Sequence, residues 1–215
     1  MAIGKHVYTY INPTSVKDLA EVNEILSRDG VIAYPSDVNW AFACDGTSVK
    51  AMEKIRMLKP FHPKEQPFSL LCASISMTAT VANVDNFAFA YMRKVCPGPY
   101  TFLLDRSRNL PRLMKDKRRT VGVRIPSCPL ALAIVENFGR PLATTSVPPC
   151  ADDPRDGSKI TPKFGWQVFE AFGQRLDLVL DLGDESPGGE STIISLVDGQ
   201  VELVRQGIGQ EIEVE

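Results

Sequence analysis

Histidine is nearly absent from this 215-residue chain: only His6 and His62 occur. A Ser-His-Asp triad or a two-histidine metal site therefore has little material, and neither H-E-x-x-H nor G-x-S-x-G is present. The glycine patterns that cradle phosphates, G-x-G-x-x-G and G-x-x-x-x-G-K-[ST], are missing too. The five cysteines, Cys44, Cys72, Cys96, Cys128 and Cys150, are odd in number and form no C-x-x-C, which argues against a disulfide framework or a zinc knuckle. Cys150 with His62 is the one nucleophile–base pairing on offer, set against a loop cysteine and a loop histidine that never meet. No apolar run approaches the about 18 residues of a membrane span, and no signal core follows the N-terminus. A cytoplasmic protein with reduced thiols, no membrane partner and no resident metal is expected.

Excess charge of either sign is lacking as well. With 24 Lys and Arg against 26 Asp and Glu, the net charge is −2, so any nucleic-acid role would need a local basic face. One segment offers it: Arg106, Arg108, Arg112, Lys115, Lys117, Arg118, Arg119 and Arg124 stand against Asp116 alone. This stretch is either a solvated loop or a surface for phosphates, in which case double-stranded or structured RNA is the partner it would suit. Beyond Asp177, Arg205 is the only basic residue.

What is present is a regular alternation of short strands and amphipathic helices. Strands are expected over 7–11, 31–34, 40–44, 68–72, 100–104, 120–125, 142–146 and 176–180. Helices are expected over 15–28, capped by Asn12 or Thr14 and ended by Gly30, and from Thr47 or Ser48 to Leu58, stopped by Pro60. Further helices fit 74–81, 86–95, 129–138 with Pro129 in the first turn, and a segment opened by Thr161-Pro162. Asp198-Gly199 between 193–197 and 201–205 is a strong hairpin signal. The fold class is α/β: a single domain, residues 1–215, with an open, twisted, mixed β-sheet and helices on its faces. Ligands of such sheets gather at strand ends, here the loops 35–39, 59–67, 146–159 and 183–191.

Hydroxyl and cationic residues recur at those strand ends in a particular order. Tyr34-Pro35-Ser36-Asp37, with Cys44-Asp45 beyond it, is followed by the segment Lys59 to Leu70, then Pro97-Gly98-Pro99-Tyr100-Thr101. Thr120 to Pro126 (TVGVRIP), Thr144-Thr145-Ser146, Ser191-Thr192-Ile193 and Arg205-Gln206-Gly207 complete the series. This order resembles the YrdC-like family, and the texture of PFSLLC and RRTVGVRIP looks most like its YciO branch. The likeness spans about residues 15–209 and implies a concave, basic cleft. It also implies binding of ATP or AMP, and synthesis of L-threonylcarbamoyl-AMP from L-threonine, bicarbonate and ATP with Mg²⁺, a step toward tRNA modification. On this resemblance Ser36, Arg124, Thr144 and Ser191 would hold the substrate, and Lys59, Thr120, Ser146 and Arg205 would face the nucleotide. No side chain is expected to act as a catalytic acid or base, since adenylation asks chiefly for anion clamping and positioning. A related carbamoyl-adenylate site serving another pathway, as in the HypF domain, fits the same motifs.

The chain departs from the family pattern at four places. Val38 stands for the second Thr of the opening motif and Trp40-Ala41 for Tyr-Gly, while Phe61 takes the Arg position of "K-x-R" and Pro148 the Asn position of "S-x-N". Each lost charge-assisted bond is worth roughly 1.5–3 kcal/mol, so a weakened or altered activity is expected unless Lys64 or Arg155 compensates.

Overall fold

A computed structural model describes residues 4–10, 15–59, 68–108, 119–152 and 156–210. Strand β1 is Lys5–Tyr8, followed by helix α1, Val16–Ser27. The cap of α1 is Ser15, whose Oγ accepts from the Asp18 backbone N–H at 3.2 Å; the expected caps Asn12 and Thr14 lie outside the described residues. Asp29, at φ 59°, makes the left-handed turn after the helix. Gly30 is needed there for another reason: a Cβ would collide with the side chain and carbonyl of Ile25.

Strands β2 (Ile32–Pro35) and β3 (Trp40–Asp45) precede helix α2, Val49–Leu58, which Ser48 caps through the Ala51 N–H. The next elements are β4 (Ser69–Leu71), the short α3 (Ile75–Thr78), α4 (Asn86–Val95), β5 (Tyr100–Asp105) and β6 (Thr120–Arg124). Helix α5, Pro129–Phe138, carries Pro129 in its first turn and ends on Gly139 at φ 76°, as the asymmetry of helix ends requires. Strand β7 is Leu142–Ser146. The segment expected to be all loop instead holds a small ladder between β8 (Ala151–Asp152) and β9 (Lys159–Ile160).

Helix α6 runs Gly165–Phe172 and not from Thr161. Its start is fixed by Gln167, whose Oε1 accepts from the backbone N–H of Lys163 and Phe164 at 2.8 and 3.0 Å. The Asp181 carboxylate packs where a Cβ of Gly165 would lie. The chain finishes with β10 (Leu178–Asp181), β11 (Thr192–Ser195) and β12 (Glu202–Arg205). The expected hairpin between the last two is present, with Asp198 at φ 55° and Gly199 at φ 70°, the paired positive values of a type I′ turn.

Ten strands form one mixed sheet in the order β1-β10-β2-β3-β7-β4-β6-β5-β11-β12. Helices α1 and α5 cover one face of the first half, where Leu19, Val22, Leu26, Leu130, Ile134 and Val135 pack on Ile32, Tyr34, Leu71, Leu142 and Leu178. The reverse face of that half packs on α2 and α6 through Met52, Ile55, Val168 and Phe172. In the second half, α4 and its neighbours pack on Phe102, Leu104, Val121, Val123 and Ile194. Each such large apolar side chain contributes about 1.5–3 kcal/mol on burial.

The other face of the second half differs. Side chains alternate along a strand, so the burial of Val121 and Val123 turns Thr120, Gly122 and Arg124 the opposite way. The same alternation in β5 turns Thr101, Leu103 and Asp105 with them. Thr101 and Leu103 of β5 and Ser69 of β4 surround the position a Gly122 Cβ would take. This face is polar, and no buried cluster among the described residues covers it.

Candidate ligand cleft

The register of the sheet arranges the polar face in rows. Arg124 is paired with Leu71 across β6 and β4. One step beyond the Phe102–Val123 pair, Thr101 stands opposite Arg124, where facing Cβ atoms are about 4.5–5.5 Å apart. Ile193 is paired with both Thr101 and Arg205. Ser69 pairs with Thr144 in the next row, and Ser146 and Thr120 mark the far end. At a rise of about 3.3 Å per residue, Arg124 and Thr120 are separated by about 13 Å along β6.

At the Arg124 end, three separate chain segments meet. The loop after β2 sends Asp37 to an ion pair with the Arg124 guanidinium, and the second Asp37 oxygen accepts from the backbone N–H and hydroxyl of Ser127, each at 2.9 Å. The Gly189 N–H donates to the Val38 carbonyl at 2.8 Å, joining the loop before Ser191 to the loop of Ser36. The Ser191 and Thr101 hydroxyls are bonded to each other at 2.8 Å. Arg205 donates to the Ser191 carbonyl from both Nε and Nη2, at 3.2 and 2.8 Å, and pairs with Glu190 at 3.3 Å.

Donors here have work left. The Nε of Arg124 is buried yet has no hydrogen-bond partner, a costly condition for a charged group. The bond between Thr101 and Ser191 uses one of their two hydroxyl hydrogens and leaves the other. By contrast, Thr144 donates to the Phe42 carbonyl at 3.0 Å and so accepts from the buried Tyr34 hydroxyl at 2.9 Å. Burial, the largest influence, pushes the Tyr34 phenol up to about 12. Ser36 donates to the Asn39 carbonyl at 2.6 Å and accepts from Val38 and Asn39 N–H groups, which shapes its own loop. Thr144 and Ser36 brace the site in this structure.

At the other end, Lys59 caps α2 and reaches round β7: its Nζ donates to the Ser146 carbonyl at 2.8 Å and the Thr145 hydroxyl at 2.9 Å. Lys59 is only 8% exposed, and burial pulls its ammonium down to about 8. Among the described residues no carboxylate is paired with it. Thr120 occupies the same end, on β6.

The residues assigned to the substrate therefore lie together, whereas the set assigned to the nucleotide is divided. Lys59, Ser146 and Thr120 share one end, while Arg205 sits with Ser191, five strands from β7 in the sheet. Of the cations expected in the basic cleft, Arg124 and Arg205 carry their own acids, Asp37 and Glu190. Arg119, from the basic segment, is held by Asp105 and Asp198 at 2.7 and 2.9 Å, so its charge is not free for RNA. Arg106 bridges to Ala82 through the backbone and Arg108 is exposed. Arg112, Lys115, Lys117 and Arg118 lie outside the described residues, as do His62, Phe61, Lys64 and Arg155. Burial pushes the Cys150 thiol up, which disfavours a nucleophilic thiolate.

Sequence reasoning passed over Asp37, Thr101, Ser69 and Gly122 as site residues. The signal was there for two of them, Thr101 and Gly122: Tyr100–Asp105 and Thr120–Arg124 turn alternate residues to opposite faces, and the sides away from the core face one another across neighbouring strands.

The family model for Sua5, YciO and YrdC, described as telomere recombination, matches residues 24–207. The uncharacterized protein YciO of Escherichia coli K12 is 33% identical over 207 residues, covering 94% of this chain and 96% of its own. Its crystal structure matches with a TM-score of 0.82 at 29% identity, covering 98% of each chain. A threonylcarbamoyl-AMP synthase of Marinobacter nauticus is 30% identical over 188 residues, covering 86% of this chain and 95% of its own. The crystal structure of Pyrococcus abyssi Sua5 complexed with L-threonine shares the fold, with a TM-score of 0.80 at 23% identity; the match covers 96% of this chain and 58% of that one.

Proposed function

Because the chain belongs to the Sua5–YciO–YrdC family, we propose that its cleft binds a free amino acid beside a nucleotide and works as a threonylcarbamoyl-AMP synthase-like enzyme. In this reading the amine of L-threonine attacks the carbon of bicarbonate and water leaves. A carbamate oxygen then attacks the α-phosphorus of ATP, and pyrophosphate leaves. ATP would enter as its Mg²⁺ complex, the ion offsetting phosphate charge. The product would feed the threonylcarbamoyl modification of tRNA. The chain's own task is to clamp two anions in line and exclude water, for which histidine is not needed.

The observation that carries this reading is the buried Nε–H of Arg124, without a partner, on a residue whose register places it opposite Thr101, the partner of the Ser191 hydroxyl. It suits one end of a carboxylate. The Lys59 and Ser146 end, which holds a cation and no paired acid among the described residues, suits phosphate oxygens. The test uses purified protein at high concentration with ¹³C-bicarbonate, L-threonine, ATP and Mg²⁺. The reading expects pyrophosphate release together with a labelled carbamoyl-adenylate by mass spectrometry; the absence of both removes it.

A further inference from the structure

Arg124 does not face the cleft as a free cation. Its side chain is 11% exposed and that of Asp37 8%, so the ion pair they form is buried. Asp37 is itself fixed, because Ser127, just ahead of α5, donates to it from both backbone and side chain. A carboxylate held by three donors stays beside the arginine whether or not a ligand is present. Asp37 takes one Nη2 donor of Arg124, the buried Nε–H has no partner, and one hydroxyl hydrogen of the Thr101–Ser191 pair is left over. The neighbouring cation, Arg205, is likewise matched by Glu190 and spends its donors on Ser191.

We propose that Asp37 is a specificity-determining residue, which makes this end of the cleft accept a monoanionic carboxylate and reject a phosphate. An acceptor with one negative charge and two oxygens takes up spare donors of Arg124 and the hydroxyl pair and leaves the site with a single net negative charge. A dianionic phosphate brings a second charge against Asp37, with Arg124 and Arg205 already matched by acids, so the like-charge cost rises. Discrimination here works through repulsion as well as attraction, and it fixes the direction of a two-part ligand. The carboxylate goes to Arg124, and the phosphates go to Lys59, which no described acid opposes. The inference rests on reading this end as the amino-acid end.

The test follows the Nε–Hε resonance of Arg124 in ¹⁵N-arginine-labelled protein, assigned by its loss in Arg124→Lys. Propionate and inorganic phosphate, the latter above its second pKa, are titrated separately into wild type and Asp37→Asn. Wild type is expected to bind propionate at this resonance at least about tenfold more tightly than phosphate. In Asp37→Asn phosphate is expected to gain at least about tenfold, abolishing the preference. General damage to the site would weaken both anions and keep their ratio, and an unchanged ratio overturns the proposal. So does a wild type that prefers phosphate, or one whose resonance neither anion moves. The wild-type comparison decides alone if Asp37→Asn does not fold. A resonance that propionate moves and L-threonine does not would remove the amino-acid reading while leaving the selectivity in place.

Discussion

The ammonium of Lys59 lies 2.8 Å from the backbone carbonyl of Ser146, so the end of helix α2 is tied to the end of strand β7 by a buried cation bonded to neutral acceptors. Burial alone pulls this lysine down to about 8. The native fold therefore holds a charge that it would rather release, at the place where a phosphate would repay it.

A pH dependence follows, with a definite sign. Lys59 loses its proton near pH 8 in the folded chain, whereas an unfolded lysine keeps it to about 10.4. Between those values the unfolded chain binds the extra proton, so this group makes stability rise with pH. Urea unfolding midpoints of wild type and Lys59→Met, compared across that window, should show a wild-type rise that the variant lacks.

ATP binding should move the other way. As pH climbs through 8 the site loses its cation, and affinity should fall. In Lys59→Arg, whose charge persists, the fall should disappear. Calorimetric titration over the same pH series checks both curves.

The Tyr34–Thr144 bond makes a stability prediction separate from binding. Tyr34→Phe removes a buried donor and leaves the Thr144 oxygen short of one bond, at a cost of about 0.5–1.5 kcal/mol. For a chain of this size Tm should drop by about 1–6 °C. Thr144→Val in the same background should cost less than in wild type, since the two groups share one network.

Gly122 lies between the two ends of the cleft. A Cβ there would stand 3.2 Å from the Ser69 hydroxyl and 3.5 Å from the Thr101 methyl, and two further methyls would rise above them. Gly122→Val suits a strand, yet should weaken L-threonine and ATP binding at least about tenfold while Tm changes little. Paired thermal shifts with and without ligand measure the two effects.

Much of the fold was readable because each strand carries its own record of what it packs against. The alternation of Tyr100–Asp105 and Thr120–Arg124 announces one greasy and one polar side, and Asp198-Gly199 announces its turn. Strand order was not readable. Nothing local to Leu142–Ser146 says that β7 lies between β3 and β4. The Asp37–Arg124 pair joins positions 87 residues apart, so motif order gathered these residues in a list without showing that they touch. Arg205 shows the same limit: its chemistry suits a nucleotide, but its place on the edge strand β12 gives it to Ser191. The helix at 165 begins later than Thr161-Pro162 suggests because Gln167 reaches back to the N–H groups of Lys163 and Phe164, a contact that the Thr-Pro signal does not reveal.

The central claim concerns polarity: one cleft, with a carboxylate end at Arg124 and a phosphate end at Lys59. A crystal structure with L-threonine and a non-hydrolysable ATP analogue tests it most directly. The account predicts the threonine carboxylate within hydrogen-bond distance of Arg124 Nε and the Thr101–Ser191 hydroxyls, with phosphate oxygens near Lys59 and Ser146. Phosphates seated on Arg124, or both ligands bound away from this face, would contradict it.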